Sequence, residues 1–165
     1  MTRVQLWRSD RMRIVLLALV VVTVAAPLAR GSALPTGPTD PHIADGSAAR
    51  KLAAARVRWK HRGFASYRFT VSQSCFCGPR QVTATITVRA GKRSGATERL
   101  LAASSVPRLF ALVDNAINAD VAGLTVTYDK RRGYVRHVYI DRSAMIADEE
   151  VGYDVRGLVR VTPRA

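Results

Sequence analysis

The stretch at residues 67–88, YRFTVSQSCFCGPRQVTATITV, decides the fold. Tyr67, Phe69 and Val71 alternate with Arg68, Thr70 and Ser72, the period of two that marks a strand with one apolar face. Gly78-Pro79 supplies turn chemistry, and Val82, Ala84, Ile86 and Val88 then alternate with Thr83, Thr85 and Thr87 on the return. The segment therefore reads as an antiparallel hairpin. Cys75 and Cys77, the chain's two cysteines, sit at the end of its first arm and share the parity of Tyr67, Phe69 and Val71, the inward face.

Upstream, SAARKLAAARVRWKHRGF (47–64) changes the period. Ser47 is the expected N-cap, and Ala48, Leu52, Ala55 and Trp59 recur at steps of four, three and four, which places them on one helical face. Arginines and lysines cover the rest and Gly63 ends the helix. Its apolar face is narrow and half alanine, which suits packing on a sheet better than lying on a membrane. Downstream, RAGKRSGATERLLA (89–102) reads as a turn leading to a short third strand at Thr97–Leu101. SSVPRLFALVDNAINAD (104–120) predicts a second helix. Ser104 or Ser105 caps it, Pro107 lies in its first turn, and Leu109, Phe110, Val113, Ala116 and Ile117 form its apolar face. Leu124–Tyr128 and Tyr134–Asp141 make a second hairpin around a polar turn, and Val151, Tyr153, Val155, Val159 and Val161 carry period two to the end. The order is α-β-β-(β)-α-β-β-β. The class is α+β: an antiparallel sheet of five to six strands with helices packed on one face.

Ahead of this unit the chain has a different character. Arg3, Arg8, Arg11 and Arg13 precede an apolar run, Ile14–Ala26, broken only by Thr23. Its 13 residues span about 20 Å as a helix, short of the roughly 30 Å hydrocarbon core. Residues 1–33 thus read as a secretory signal peptide, with cleavage after Gly31 or Ala33; an uncut segment acting as a weak anchor is the alternative. Residues 34–47, rich in proline and glycine, read as a flexible linker, and 48–165 as one α+β domain.

The full chain holds 26 Lys+Arg against 12 Asp+Glu, net +14. The leader takes five and one of these, leaving net +10 on the remainder, which favours anionic partners such as an envelope polymer or an acidic protein. No aromatic residues interleave with the basic clusters as in a base-stacking platform, so nucleic acid is not expected. Lys130, Arg131, Arg132 and Arg136 are the anion-contacting candidates. Asp141, Asp148, Glu149 and Glu150 form a dense acidic group without EF-hand spacing, read as a solvated loop or as counter-charge for the nearby arginines. His137 reads as a surface residue beside Tyr139.

The chain resembles the bacterial family catalogued as domain of unknown function 6174, found in exported proteins and lipoproteins. The resemblance rests on Trp59, the aromatic strand start Tyr67 and Phe69, and Cys75 and Cys77 before a valine-rich strand. It continues through VPRLF (106–110), YDKRRGYVRHVYID (128–141) and ADEEVGYDV (147–155). Val135 stands where that pattern favours proline, and no lipidation cysteine is present. The resemblance implies the fold and export and carries no activity with it.

Export bears on the cysteines. In an oxidising compartment a Cys75–Cys77 pair is first read as a disulfide. Strand residues i and i+2 lie about 6.6 Å apart at their Cα atoms, the upper end of disulfide separations, so the strand must bend. Such a bridge closes three residues and stabilises by about 1.6 kcal/mol in the chain-entropy account. A soft-metal clamp and a redox pair stay open beside it, although His42, His61 and His137 stand at no recognisable zinc spacing. The sequence shows no G-x-S-x-G, H-E-x-x-H, Walker or dinucleotide glycine motif. The reading that results is an exported, non-catalytic binding module of the cell envelope or exterior, with no cofactor, touching the membrane only through its N-terminal segment if that segment is uncut. The alternative is a thiol-based metal or redox protein using Cys75 and Cys77.

Overall fold

Six strands hydrogen-bond side by side in the order Lys92–Ser94, Val82–Arg89, Tyr67–Cys75, Val151–Arg160, Val135–Asp141 and Gly123–Tyr128, every neighbouring pair antiparallel. The computed structural model describes residues 37–75, 81–146 and 148–162; the leader, Cys77 and the Gly78-Pro79 turn lie outside them. In chain order the elements are α1 (Pro41–Ala44), α2 (Ser47–Arg62), β1 (Tyr67–Cys75), β2 (Val82–Arg89) and β3 (Lys92–Ser94). A 3-10 helix (Glu98–Ala103) follows, then α3 (Val106–Asn118), β4 (Gly123–Tyr128), β5 (Val135–Asp141) and β6 (Val151–Arg160). The α+β architecture with an antiparallel sheet is as the periodicities require.

The alternation in β1 is the alternation of the core. Tyr67, Phe69, Val71 and Gln73 are buried and face Val88, Ile86, Ala84 and Val82 of β2. Against them pack Leu109, Phe110 and Val113 of α3 and Leu52 and Ala55 of α2. Trp59 sets its edge on Tyr67 (5.4 Å between ring centroids), and Tyr67 stacks on Phe69 (5.9 Å). The Tyr67 hydroxyl also accepts the Val106 N–H (3.0 Å), one of the amides that the first turn of α3 cannot satisfy internally. Ser105 caps the same helix by accepting from Arg108 N–H, with Pro107 in the first turn as expected.

Four local expectations are corrected. Residues 97–101 are not a strand: Glu98–Ala103 is a 3-10 helix, because its three-residue period puts Leu100 and Ala103 together in the core and leaves Leu101 outside. The third strand is instead Lys92–Ser94, turned back from β2 at Ala90-Gly91. Helix α2 is capped by Gly46 rather than Ser47, since Asp45 Oδ1 already accepts the Ser47 N–H (2.7 Å). Val159 does not face inward. Gly157, at φ +63°, sits in a bulge that shifts the β1–β6 register between Arg68 and Thr70, so Leu158 enters the core and Val159 stands 45% exposed.

The stretch read as a linker is packed on the domain from Asp40 onward. Asp40 is buried; its Oδ2 accepts the Leu124 N–H (2.9 Å), its Oδ1 the His42 N–H (2.7 Å), and its own N–H donates to the Val121 carbonyl (2.9 Å). One carboxylate thus starts α1 and ties it to β4, with Ile43 buried behind it. Val135, where the related pattern favours proline, is fully buried at the start of β5.

Two glycines separate backbone freedom from space. At Gly157 nothing lies within 4 Å of an added Cβ, whereas at Gly133 (φ +85°) the Cβ would press into the Ala55 carbonyl and stand 2.8 Å from Arg58 Cβ. Gly157→Ala should cost about 1–2 kcal/mol, the left-handed penalty alone. Gly133→Ala should cost more than about 3 kcal/mol, because α2 must move off the β4–β5 turn. Urea unfolding of the two variants checks the difference.

Candidate binding face

With the helices gathered on the Tyr67–Phe69–Val71 side, the other parity of each strand forms a second face on which no described helix packs. Register alone assembles it. Arg68 lies opposite Thr87 and Val159, Thr70 opposite Thr85 and Arg156, and Ser72 opposite Thr83 and Asp154. Asp154 is in turn opposite His137, which is opposite Thr127, and at the far edge Thr87 meets Ser94 and Arg89 meets Lys92. The result is a surface of hydroxyls with cations set among them.

The hydroxyls bond laterally. Thr70 Oγ1 is 3.2 Å from Thr85 Oγ1, and Ser72 Oγ is 3.0 Å from Thr83 Oγ1. Cross-strand pairs of this kind contribute a few tenths to about 1 kcal/mol and restrict the rotamers of the side chains that make them, which keeps the face ordered. His137 Nδ1–H donates to Asp154 Oδ1 (3.0 Å), so the one carboxylate among these rows is already engaged. Ser72, Asp154 and His137 lie in one row, but in the wrong order for nucleophile activation. An imidazole must stand between hydroxyl and carboxylate, and here the carboxylate stands in the middle, with Ser72 two strands (about 10 Å) from the ring.

The cations are different. Among the described residues Arg68, Arg89, Lys92 and Arg156 have no carboxylate within salt-bridge distance. Arg89 and Lys92 are directly opposed, a like-charge pairing that costs stability in a sheet, and Arg89 Nε is buried without a partner. The face is basic by construction.

The residues singled out earlier for anion contact do not gather there. Lys130 and Arg131 lie exposed in the turn between β4 and β5, where Arg131 and Arg132 N–H groups donate to Asp129 Oδ1 (3.1 and 2.6 Å). The Arg132 guanidinium sits over the Phe64 ring (4.8 Å), with Arg160 also over that ring (4.9 Å), and Arg136 is exposed at the irregularity that starts β5. No ion pair joins Lys130, Arg131 or Arg132 to the acidic group among the described residues.

Cys75 ends β1 opposite Val151, and Arg99 Nη2 stands 3.4 Å from its sulfur. No cysteine is free among the described residues, and Cys77 is not one of them. Nearby, Gln73 Nε2 donates to the Tyr153 hydroxyl (3.2 Å) inside the protein. Burial pushes the Tyr153 phenol up while the Gln73 bond acts against the shift, so the hydroxyl stays protonated at neutral pH. Burial likewise pushes Tyr128 up to about 12 against the pull of Arg56 and Arg58. Sequence reading missed Arg156, Arg89 and Lys92 as partners of Arg68. Parity showed that Arg68 points away from the core, but strand order decides which cations stand beside it.

The fold and this face define an α+β protein built on an antiparallel sheet, helices on one side and a hydroxyl-rich basic surface on the other. The chain belongs to the family of unknown function DUF6174, whose family model matches residues 51–160. No curated protein and no solved structure matches it.

The two faces are separable by one-residue steps along β1. Thr70→Val should change stability by less than about 1 kcal/mol. Val71→Thr, which puts a hydroxyl at a fully buried position, should cost about 1–3 kcal/mol. Equal costs in chemical denaturation would contradict the assignment of faces.

Proposed function

We propose that this chain is an exported, non-catalytic binding module whose uncovered sheet face docks an anionic partner in the cell envelope or outside it. The observation that supports this most is the set of cations Arg68, Arg89, Lys92 and Arg156, which have no carboxylate within salt-bridge distance among the described residues, on an ordered hydroxyl surface. An anionic polymer or acidic protein segment supplies what the face lacks. It relieves the Arg89–Lys92 repulsion, meets the orphaned Arg89 Nε, and exchanges hydrogen bonds with the threonine and serine rows. An open surface spread over several strands suits an extended partner better than a small molecule, which needs a concave pocket.

Export rests on the basic leader and short apolar run of residues 1–33, with membrane contact limited to that segment if it stays uncut. In that setting Cys75 and Cys77 form a disulfide across the end of β1, in keeping with the lack of a free cysteine among the described residues. A second reading has one observation of its own: Arg99 beside the Cys75 sulfur would stabilise a thiolate and favour redox or soft-metal chemistry once the pair is reduced.

Long-chain polyphosphate serves as a model polyanion. Binding should be tight at low salt and weaken steeply as salt rises. Arg68→Glu with Arg156→Glu should lower affinity at least about tenfold, and Lys130→Glu with Arg131→Glu by less than about twofold. No binding at low salt, or an equal loss from the turn variants, would overturn the reading. Intact mass of the exported protein separates the cysteine readings: a metal-free chain lighter by a pair of hydrogens supports the disulfide, and a metal adduct with both thiols reduced supports the second reading.

A further inference from the structure

On the core side, where β1 ends and β6 begins, a cavity of about 300 Å³ opens between the sheet, the 3-10 helix and α3. Gln73, Tyr153, Arg142, Glu149 and Glu150 bring polar groups to it, and Leu112 is part of its apolar wall. Gln73 is 93% buried (7% exposed), and its Nε2 is spent on Tyr153, yet its Oε1 has no hydrogen-bond partner among the described residues. Glu149 and Glu150 line the same cavity as half-buried residues, and one oxygen of each, Glu149 Oε1 and Glu150 Oε2, is buried without a hydrogen-bond partner among the described residues. A buried acceptor destabilises the fold until something donates to it.

All three orphans are acceptors. Arg142 lines the cavity and its Nη1 donates to the Glu149 backbone carbonyl (2.8 Å), but none of the three acceptors has a hydrogen-bond partner among the described residues. What the three acceptors lack is a donor, and the two carboxylates among them favour one that carries positive charge. A metal ion requires several oxygens converging at one point, and no group of three acidic, histidine or cysteine side chains does so among the described residues. An ammonium group has three donors pointing in different directions and can reach acceptors spread over the cavity wall, while Leu112 suits an aliphatic stem. We infer that this cavity binds an alkylammonium group, from a free diamine or a lysyl side chain, with Gln73 Oε1, Glu149 and Glu150 as its acceptors. The site is independent of the basic sheet face and opposite to it in charge preference.

The test uses the purified chain, with cadaverine and N-acetyl-lysinamide as probes, followed by the Gln73 side-chain amide and Tyr153 ring resonances. Saturable shifts at both residues are expected, with the tighter probe identifying the source of the ammonium group. Glu149→Gln with Glu150→Gln, on an outer loop, should weaken binding at least about tenfold. Gln73→Met should also weaken it, and Glu98→Gln, outside the cavity, should leave it unchanged. Absence of shifts with either probe at millimolar concentration, or equal binding by the Glu149/Glu150 variant, would overturn the proposal. So would calcium producing the same shifts where the amines produce none.

Discussion

The sheet depends on β6 pairing with two partners. Its residues Val151–Arg160 hydrogen-bond to β1 along almost their whole length, and Val151–Asp154 also hydrogen-bond to β5. Without it the chain holds a β1–β2–β3 ribbon and a separate β4–β5 hairpin, neither with enough covered apolar surface to be stable alone. With it, six strands share one core face: Tyr153, Val155 and Leu158 fill the seam between Val71 and Val138. The cost is a register conflict near the end of β6, absorbed by the bulge at Gly157. Asp154 shows the join most plainly, standing between Ser72 on one side and His137 on the other.

That same join creates the outer surface. Arg68 belongs to the N-terminal ribbon and Arg156 to the final strand, and only their pairing sets both beside the threonine rows. Packing energy explains why the opposite face takes the helices. Burying Phe69, Leu109 or Val113 contributes about 1.5–3 kcal/mol each, and nothing comparable is available from Thr70, Ser72 or Thr85. The outer face stays open because its residues have no reason to leave water. Tyr67 locks the arrangement from within, since one side chain touches the ring of Trp59, stacks on Phe69 and receives the first amide of α3.

Much of the fold was legible because it rests on local periodicity. The β1 and β2 alternation, the α3 face from Leu109 to Ala116 and its Ser105 cap all follow from spacing that neighbours alone determine. The misreadings share a cause in non-local packing. Thr97–Leu101 read as a short strand after a turn, and it is a 3-10 helix because Leu100 and Ala103 must both reach the core. Asp40 looked like linker because its partners, Leu124 and Val121, are more than eighty residues away. Val159 looked buried because a bulge is invisible in hydropathy. The candidate surfaces were least legible of all. Lys130–Arg132 stood out as a run, whereas Arg68, Arg89, Lys92 and Arg156 are scattered in sequence and meet only through strand order.

The function proposed for the protein depends on which surface carries the anionic partner. The most direct measurement is a map of threonine methyl resonances during titration with polyphosphate. Perturbation concentrated at Thr70, Thr83, Thr85 and Thr87, spreading to His137, is the predicted result. Perturbation confined to the Lys130–Arg132 turn or to the basic side of α2, with the threonine rows silent, would contradict the account.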